Sequence, residues 1–136
     1  MRAARTRENG TVSFLIENGD ARMHQQIKTA LESEYLNARV LVIDHYCDSL
    51  DILIHSRPDI FIVDIDSNHI GTQIIRLANI LNIHTNVIVT GDNNVHTIDA
   101  CISMGVKGYV MKPIDNRLFI KTVNQILEDM QNESAA

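Results

Sequence analysis

Tryptophan is absent from this 136-residue chain, and Phe and Tyr contribute three residues each. With so few rings the core must be built from Ile, Val and Leu, within a hydrophobic fraction of 45%. Cysteine occurs only at Cys47 and Cys101. One follows an expected strand and the other lies in an expected helix, which reads as two free thiols in a reducing cytoplasm rather than a disulfide framework. An excess of positive charge is also missing: 12 Lys and Arg stand against 17 Asp and Glu, for a net charge of −5. That excludes a surface built to grip a phosphate backbone, so no direct nucleic-acid partner is expected, and protein partners are. No apolar run approaches the ~18 residues of a membrane span, so no membrane contact is expected either. Residues 1–10 are polar and basic with no long apolar segment behind them, so no signal peptide is expected. They are expected to be a disordered leader or an expression remnant, with one domain over residues 11–131 and a frayed tail at 132–136.

What the chain does have is alternation. Short apolar runs stand at Val12–Ile16, Val40–Ile43, Ile60–Val63, Val87–Val89 and Tyr109–Met111. Between and after them lie segments of helical period: Asp20–Ser33 with Met23, Ile27, Ala30 and Leu31; a short stretch marked by Leu50, Leu53 and Ile54; Thr72–Leu81 with Ile74, Leu77, Ala78 and Leu81; Val95–Met104; and Asp115–Met130 with Leu118, Phe119, Val123, Ile126 and Leu127 turned inward. Gly105 is placed to end the fourth helix in the left-handed conformation. The first, third and fourth strands are apolar throughout. Such strands are covered on both faces, which predicts an α/β domain, a doubly wound five-stranded parallel sheet. A chain of this size buries roughly 65–70% of its unfolded surface and needs no covalent or metal staple.

Chemistry gathers where the strands end. The first strand runs into Glu17, Asn18, Gly19 and Asp20; the third ends at Asp64, with Asp66 two on; the fourth at Thr90 and Gly91; the fifth at Lys112 and Pro113. In an open parallel sheet all four sets fall on one rim, the usual place for ligands. A carboxylate such as Asp64 can attack a phosphoryl group and become an acyl phosphate. The charge on the phosphoryl oxygens then needs neutralising, which a cation held by hard oxygen ligands and the Lys112 ammonium can share. Thr90 can donate a hydroxyl hydrogen bond, and Gly91 leaves room for the incoming donor.

Three segments in order, Pro58–Asp64 (PDIFIVD), Val87–Gly91 (VIVTG) and Met104–Pro113 (MGVKGYVMKP), make the chain resemble the response-regulator receiver family, the CheY-like domains of two-component signalling. The resemblance covers about Val12 to Met130. It implies the (βα)5 flavodoxin/CheY-like fold with strand order 2-1-3-4-5. It implies Asp64 as phosphoacceptor, Thr90 as switch hydroxyl, Lys112 as the site lysine, Tyr109 as switch aromatic, and a cis Lys112–Pro113 peptide, a proline feature. It implies Mg²⁺ as cofactor, held by Glu17, Asp64 and the backbone carbonyl of Asp66, with Asn18 or Asp20 as a further ligand. Its implied partners are a histidine kinase or phosphotransfer protein, an output domain or protein, and a second copy through the helix 4–strand 5–helix 5 face. The domain is then a signalling acceptor and not an enzyme.

The chain departs from the family at two places. Where the family has two adjacent acids after strand one, Glu17-Asn18 stands, and the Met-Pro expected after the acceptor is replaced by Ile65-Asp66. These departures leave a second reading open, a pseudo-receiver that interacts with partners without being phosphorylated. Asp64-Ile65-Asp66-Ser67 also resembles a haloacid-dehalogenase-type phosphatase motif, but it sits on the third strand and no acidic pair follows Lys112. His45 and Cys47 lack the second ligand pair a zinc site requires. The Glu17–Arg22 loop holds one Gly and no phosphate-cradling pattern for a nucleotide.

Overall fold

The computed structural model describes residues 2–3, 11–17, 21–43, 49–65, 75–76, 78–81 and 85–135. In chain order these form β1 (Arg2–Ala3), β2 (Ser13–Glu17), α1 (Ala21–Glu34), β3 (Tyr35–Leu36), β4 (Arg39–Ile43), α2 (Ser49–Ser56), β5 (Ile60–Asp64), β6 (Asn86–Gly91), α3 (Val95–Ser103), β7 (Gly108–Met111) and α4 (Asn116–Ala135). Five strands make one sheet in the order β4-β2-β5-β6-β7, all parallel. This is the expected 2-1-3-4-5 arrangement.

Burial follows the strand composition. Every residue of β5 is buried, as are the last five of β6, because helices cover both faces of these central strands. The edge strand β4 alternates between exposed and covered positions until Ile43. Successive side chains of a strand point to opposite faces, so the sheet divides the core in two. Phe14, Ile16, Ile60, Ile62, Ile88 and Val110 pack with Met23, Ile27 and Leu31 of α1 and with Phe119, Val123, Ile126 and Leu127 of α4. Leu15, Phe61, Val63, Val87 and Val89 pack on the other face with Leu53, Ile75 and Cys101. Each fully buried aliphatic side chain contributes about 1.5–3 kcal/mol relative to exposure, so the two layers carry the fold.

The amino ends of the strands are tied by Asp59. Its buried carboxylate accepts from the Ser13 N–H at 2.8 Å and the Ser13 hydroxyl at 3.2 Å. Its carbonyl accepts from the N–H and the side-chain amide of Asn86 at 3.3 and 3.2 Å. One residue thereby joins β2, β5 and β6 at the end of the sheet opposite Asp64. Gly105 ends α3 as expected. It lies at φ +87°, with its N–H on the Ile102 carbonyl and the Val106 N–H on that of Cys101, the two bonds of a left-handed helix stop.

One expectation is corrected. Leu118 is not inward but 59% exposed. The buried stripe of α4 runs through Phe119, Val123, Ile126 and Leu127, and Leu118 sits one residue, about 100°, off it. Leu81 and Ile54 are also exposed, at the ends of their helical stretches, while Ile75 supplies the buried contact near the third helical segment. Ile74 and Leu77 lie outside the described residues. The tail expected to fray continues α4 to Ala135. Within the expected leader, Arg2–Ala3 pair in parallel with β3.

Gly108 begins β7 where α4 crosses it. A Cβ there would lie 2.5 Å from Cγ2 of Thr122. The threonine cannot easily turn away, since it is β-branched and its hydroxyl donates to the Leu118 carbonyl at 2.9 Å. Gly108→Ala should therefore cost about 1–3 kcal/mol in urea unfolding. Adding Thr122→Ser, which deletes the obstructing methyl, should recover most of that loss.

Candidate functional site

The parallel registers bring the strand ends together. Asp64 lies directly opposite Thr90, Glu17 opposite Val63, and Gly91 opposite Met111. The Ile65 N–H reaches the Thr90 carbonyl at 3.2 Å and the Lys112 N–H reaches the Gly91 carbonyl at 2.8 Å, so pairing continues to the rim on both sides of β6. The Lys112–Pro113 peptide is cis, as the resemblance implies.

Asp64 is 3% exposed. A carboxylate so covered needs charge and hydrogen-bond partners, and two donors meet on one of its oxygens. The Thr90 hydroxyl donates to Oδ1 at 3.1 Å, and the Lys112 ammonium lies 2.8 Å from the same atom. Thr90 is wholly buried, while Lys112 keeps part of its side chain in solvent. The lysine stem therefore reaches inward from the rim to an acid seated beneath it.

Glu17, the last residue of β2, is buried beside this pair. Its Oε2 has no hydrogen-bond partner among the described residues. Burial, and secondarily the negative charge of Asp64, push its carboxyl group up to about 6. A buried carboxylate oxygen that lacks a donor, next to a second carboxylate, is a place where a hard cation would relieve both desolvation and repulsion. Glu17 and Asp64 therefore fit Mg²⁺, an ion that keeps several of its waters and needs only one or two carboxylates from a protein. Among the described residues no three acidic, His or Cys side chains gather in one metal-binding group. Asn18, Asp20 and Asp66 lie outside the described residues, as do Asp44, His45 and Cys47.

Tyr109 stands on β7, two positions before the rim. Its ring packs partly against the second core layer, and its hydroxyl donates to the Asp92 carbonyl at 2.7 Å. The aromatic thus holds the loop between β6 and α3. In the same loop Asn94 caps α3 by accepting from the Thr97 N–H at 3.2 Å. Asn94 was not among the expected functional residues, although an Asn immediately before a helical run is a recognised start signal. Nor was Gln26. The side-chain amide of Gln26 donates to the Ile114 carbonyl and to Asn116 Oδ1, both at 2.9 Å. No local pattern announces a contact spanning that much chain. Cys101 is a free, buried thiol that packs in the core.

The architecture is shared widely. The signal receiver domain of a Luxo repressor-type protein from Vibrio parahaemolyticus superposes with a TM-score of 0.83 at 18% identity, covering 92% of this chain and 96% of that one. A CheY-like response regulator receiver domain protein from Methanospirillum hungatei superposes with 0.80 at 19% identity, covering 90% and 98%. A Francisella response regulator receiver domain gives 0.78 at 20% identity, covering 88% and 98%. At these identities the similarity speaks for the fold. No curated protein matches the sequence. The family model for the response regulator receiver domain matches residues 14–124, which takes in Glu17, Asp64, Thr90, Tyr109 and Lys112. With most of its length inside that match, the chain belongs to the response regulator receiver domain family.

Proposed function

We propose that this receiver domain accepts a phosphoryl group on Asp64 from a histidine kinase or phosphotransfer protein and converts it into a change of protein-binding surface. The observation that carries the reading is the convergence of the Thr90 hydroxyl and the Lys112 ammonium on Asp64 Oδ1. A carboxylate oxygen of Asp64 attacks the phosphorus of a phosphohistidine. The P–O bond forms as the P–N bond breaks, and the imidazole nitrogen leaves with the electron pair. The product is an acyl phosphate on Asp64.

Lys112 compensates charge at this oxygen, and on a long stem it can follow the phosphoryl group as the group arrives. Thr90 supplies the second donor, and its hydroxyl transfers from Oδ1 to a phosphoryl oxygen. Glu17 and Asp64 would hold Mg²⁺, with Asn18 or Asp20 and the Asp66 carbonyl as the further ligands. When bound, the ion supplies Lewis-acid neutralisation of the phosphoryl oxygens. Movement of Thr90 vacates space beside β7, into which the Tyr109 ring can turn when its hydroxyl leaves Asp92. The surface of α3, β7 and α4 then changes its affinity for an output domain, a protein partner or a second copy. Exposed apolar side chains on these elements, Val95, Ile102, Met111 and Leu118, support a protein-binding role there.

A second reading, a pseudo-receiver that binds partners without phosphorylation, is favoured by Glu17-Asn18 in place of an acid pair. Acetyl phosphate with Mg²⁺, followed by intact mass, separates the two. A phosphoryl adduct on the wild-type domain that Asp64→Asn abolishes supports the acceptor. No adduct at saturating donor supports the interaction module.

Thr90→Ala should leave the adduct while weakening its effect on partner binding. Phosphorylation-dependent shifts at Tyr109 in NMR spectra are the measure, and shifts of wild-type size would remove Thr90 from the switch. Glu17 sets a pH dependence of opposite sign to that of a salt-bridged acid. Its folded-state value of about 6 lies above the ordinary 4.5. Below the ordinary value it is protonated whether folded or unfolded and costs nothing. Through the window from 4.5 to about 6 the folded state binds the extra proton, so metal-free stability falls as pH rises. Above that window the full penalty stands, at most about 2 kcal/mol at 1.36 kcal/mol per unit and less where solvent at the rim screens the charge. In EDTA, Glu17→Gln should therefore unfold at higher urea than wild type at alkaline pH and at the same urea in strong acid. Adding Mg²⁺ should stabilise wild type more than the variant.

A further inference from the structure

Lys112 can meet an arriving phosphoryl group only if its ammonium is already held at Asp64, and a lysine stem has four rotatable methylenes. The stem must therefore be anchored at its base. On the entry side the Lys112 N–H is fixed by the Gly91 carbonyl at 2.8 Å. On the exit side Pro113 has no N–H to donate, so the main chain offers no equivalent hold at the next residue. The segment after Pro113 is held instead from a different layer of the molecule. Gln26 of α1 directs its side-chain amide across to the β7–α4 connection, where it meets the Ile114 carbonyl and Asn116 Oδ1, each at 2.9 Å.

We propose that Gln26 is a positioning residue, which clamps the segment leaving Lys112 and so keeps the ammonium on Asp64. This inference rests on the reading of Asp64 as phosphoacceptor. The chemistry of the clamp is specific to an amide. Its nitrogen carries two hydrogens, and two acceptors are present, one of them a main-chain carbonyl that can only accept. A carboxylate of the same shape would offer no donor and would face both oxygens with negative charge. Gln26 lies beside the α1 stripe of Met23 and Ile27, whose packing in one layer with Phe119 and Val123 fixes the distance the amide spans. Asn116 is the first residue of α4 and comes after Asp115, whose carboxylate accepts from the Arg117 and Leu118 N–H groups at 2.8 and 3.3 Å. Gln26 thus binds the connection between two anchored points, Lys112 on the sheet and the capped start of α4.

Gln26→Glu and Gln26→Met both remove the donors while preserving length. The test records the Lys112 Nζ–H correlation by ¹⁵N NMR at low temperature, the rate of adduct formation with acetyl phosphate and Mg²⁺, and the urea midpoint. Both variants should keep a folded domain, lose or broaden the Lys112 ammonium signal, and form the adduct up to about a hundredfold more slowly, the scale of a ~1 Å misplacement. An ammonium signal of wild-type intensity in both variants overturns the proposal, and so does a lost signal with an unchanged rate. Failure of both variants to fold overturns it in favour of a purely structural tie. A wild-type domain that takes no phosphoryl group overturns the Asp64 reading alone, because the ammonium signal is read in the unphosphorylated protein and still decides what Gln26 does.

Discussion

Two donors share one oxygen of a carboxylate that the sheet has almost wholly removed from water. That arrangement, Thr90 and Lys112 on Asp64 Oδ1, is the constraint around which the rest of the domain is organised. A buried negative charge is costly unless paired, and here the pairing comes from two other strand ends. It holds only while β5, β6 and β7 keep their register. Asp59 secures that register for β2, β5 and β6 from the far end of the sheet, and Gly108 lets α4 lie close over β7. The apolar layers supply most of the stability. The polar ties at the two ends decide which residues face one another.

Glu17 introduces the opposing element. The acid pair at the rim is unbalanced: Asp64 has its cation and its hydroxyl, whereas Glu17 has an oxygen without a donor among the described residues and a carboxyl group pushed up to about 6. Such an arrangement stores a preference for positive charge at the site. A divalent ion with most of its waters would satisfy that preference, and protonation would satisfy it in part. The same electrostatic imbalance that destabilises the metal-free site would favour a cation bound there. Tyr109 links the rim to the outer face, since its ring touches the second core layer while its hydroxyl holds the loop that leads from Thr90 into α3.

Much of this was legible from the chain. Apolar runs such as IFIV and VIV identify central parallel strands because helices on both sides leave no face for polar residues. Parallel strands share a carboxyl rim, so Asp64, Thr90 and Lys112 could be gathered at one edge before any coordinates. Gly105 signalled its helix stop through its backbone freedom. The one error of facing falls in the first turn of a helix, where periodicity is weakest. Leu118 looked inward because it is apolar, yet the phase of the α4 stripe, set by packing on the sheet, places it outside.

The sequence by itself determined the fold class and the identity of the rim residues, and its three family-like segments implied the strand order. Fold class and rim residues arise from hydrophobic period and from the chemistry of strand-terminal side chains, both of which are local or nearly so. Only the tertiary structure decided that Thr90 and Lys112 choose the same oxygen, that a Glu17 oxygen goes without a donor among the described residues, and that Gln26 reaches the connection after Pro113. Each of these depends on distances between elements remote in the chain. Such distances are set by how α1, α4 and the sheet pack together, and no pattern of neighbouring residues encodes them.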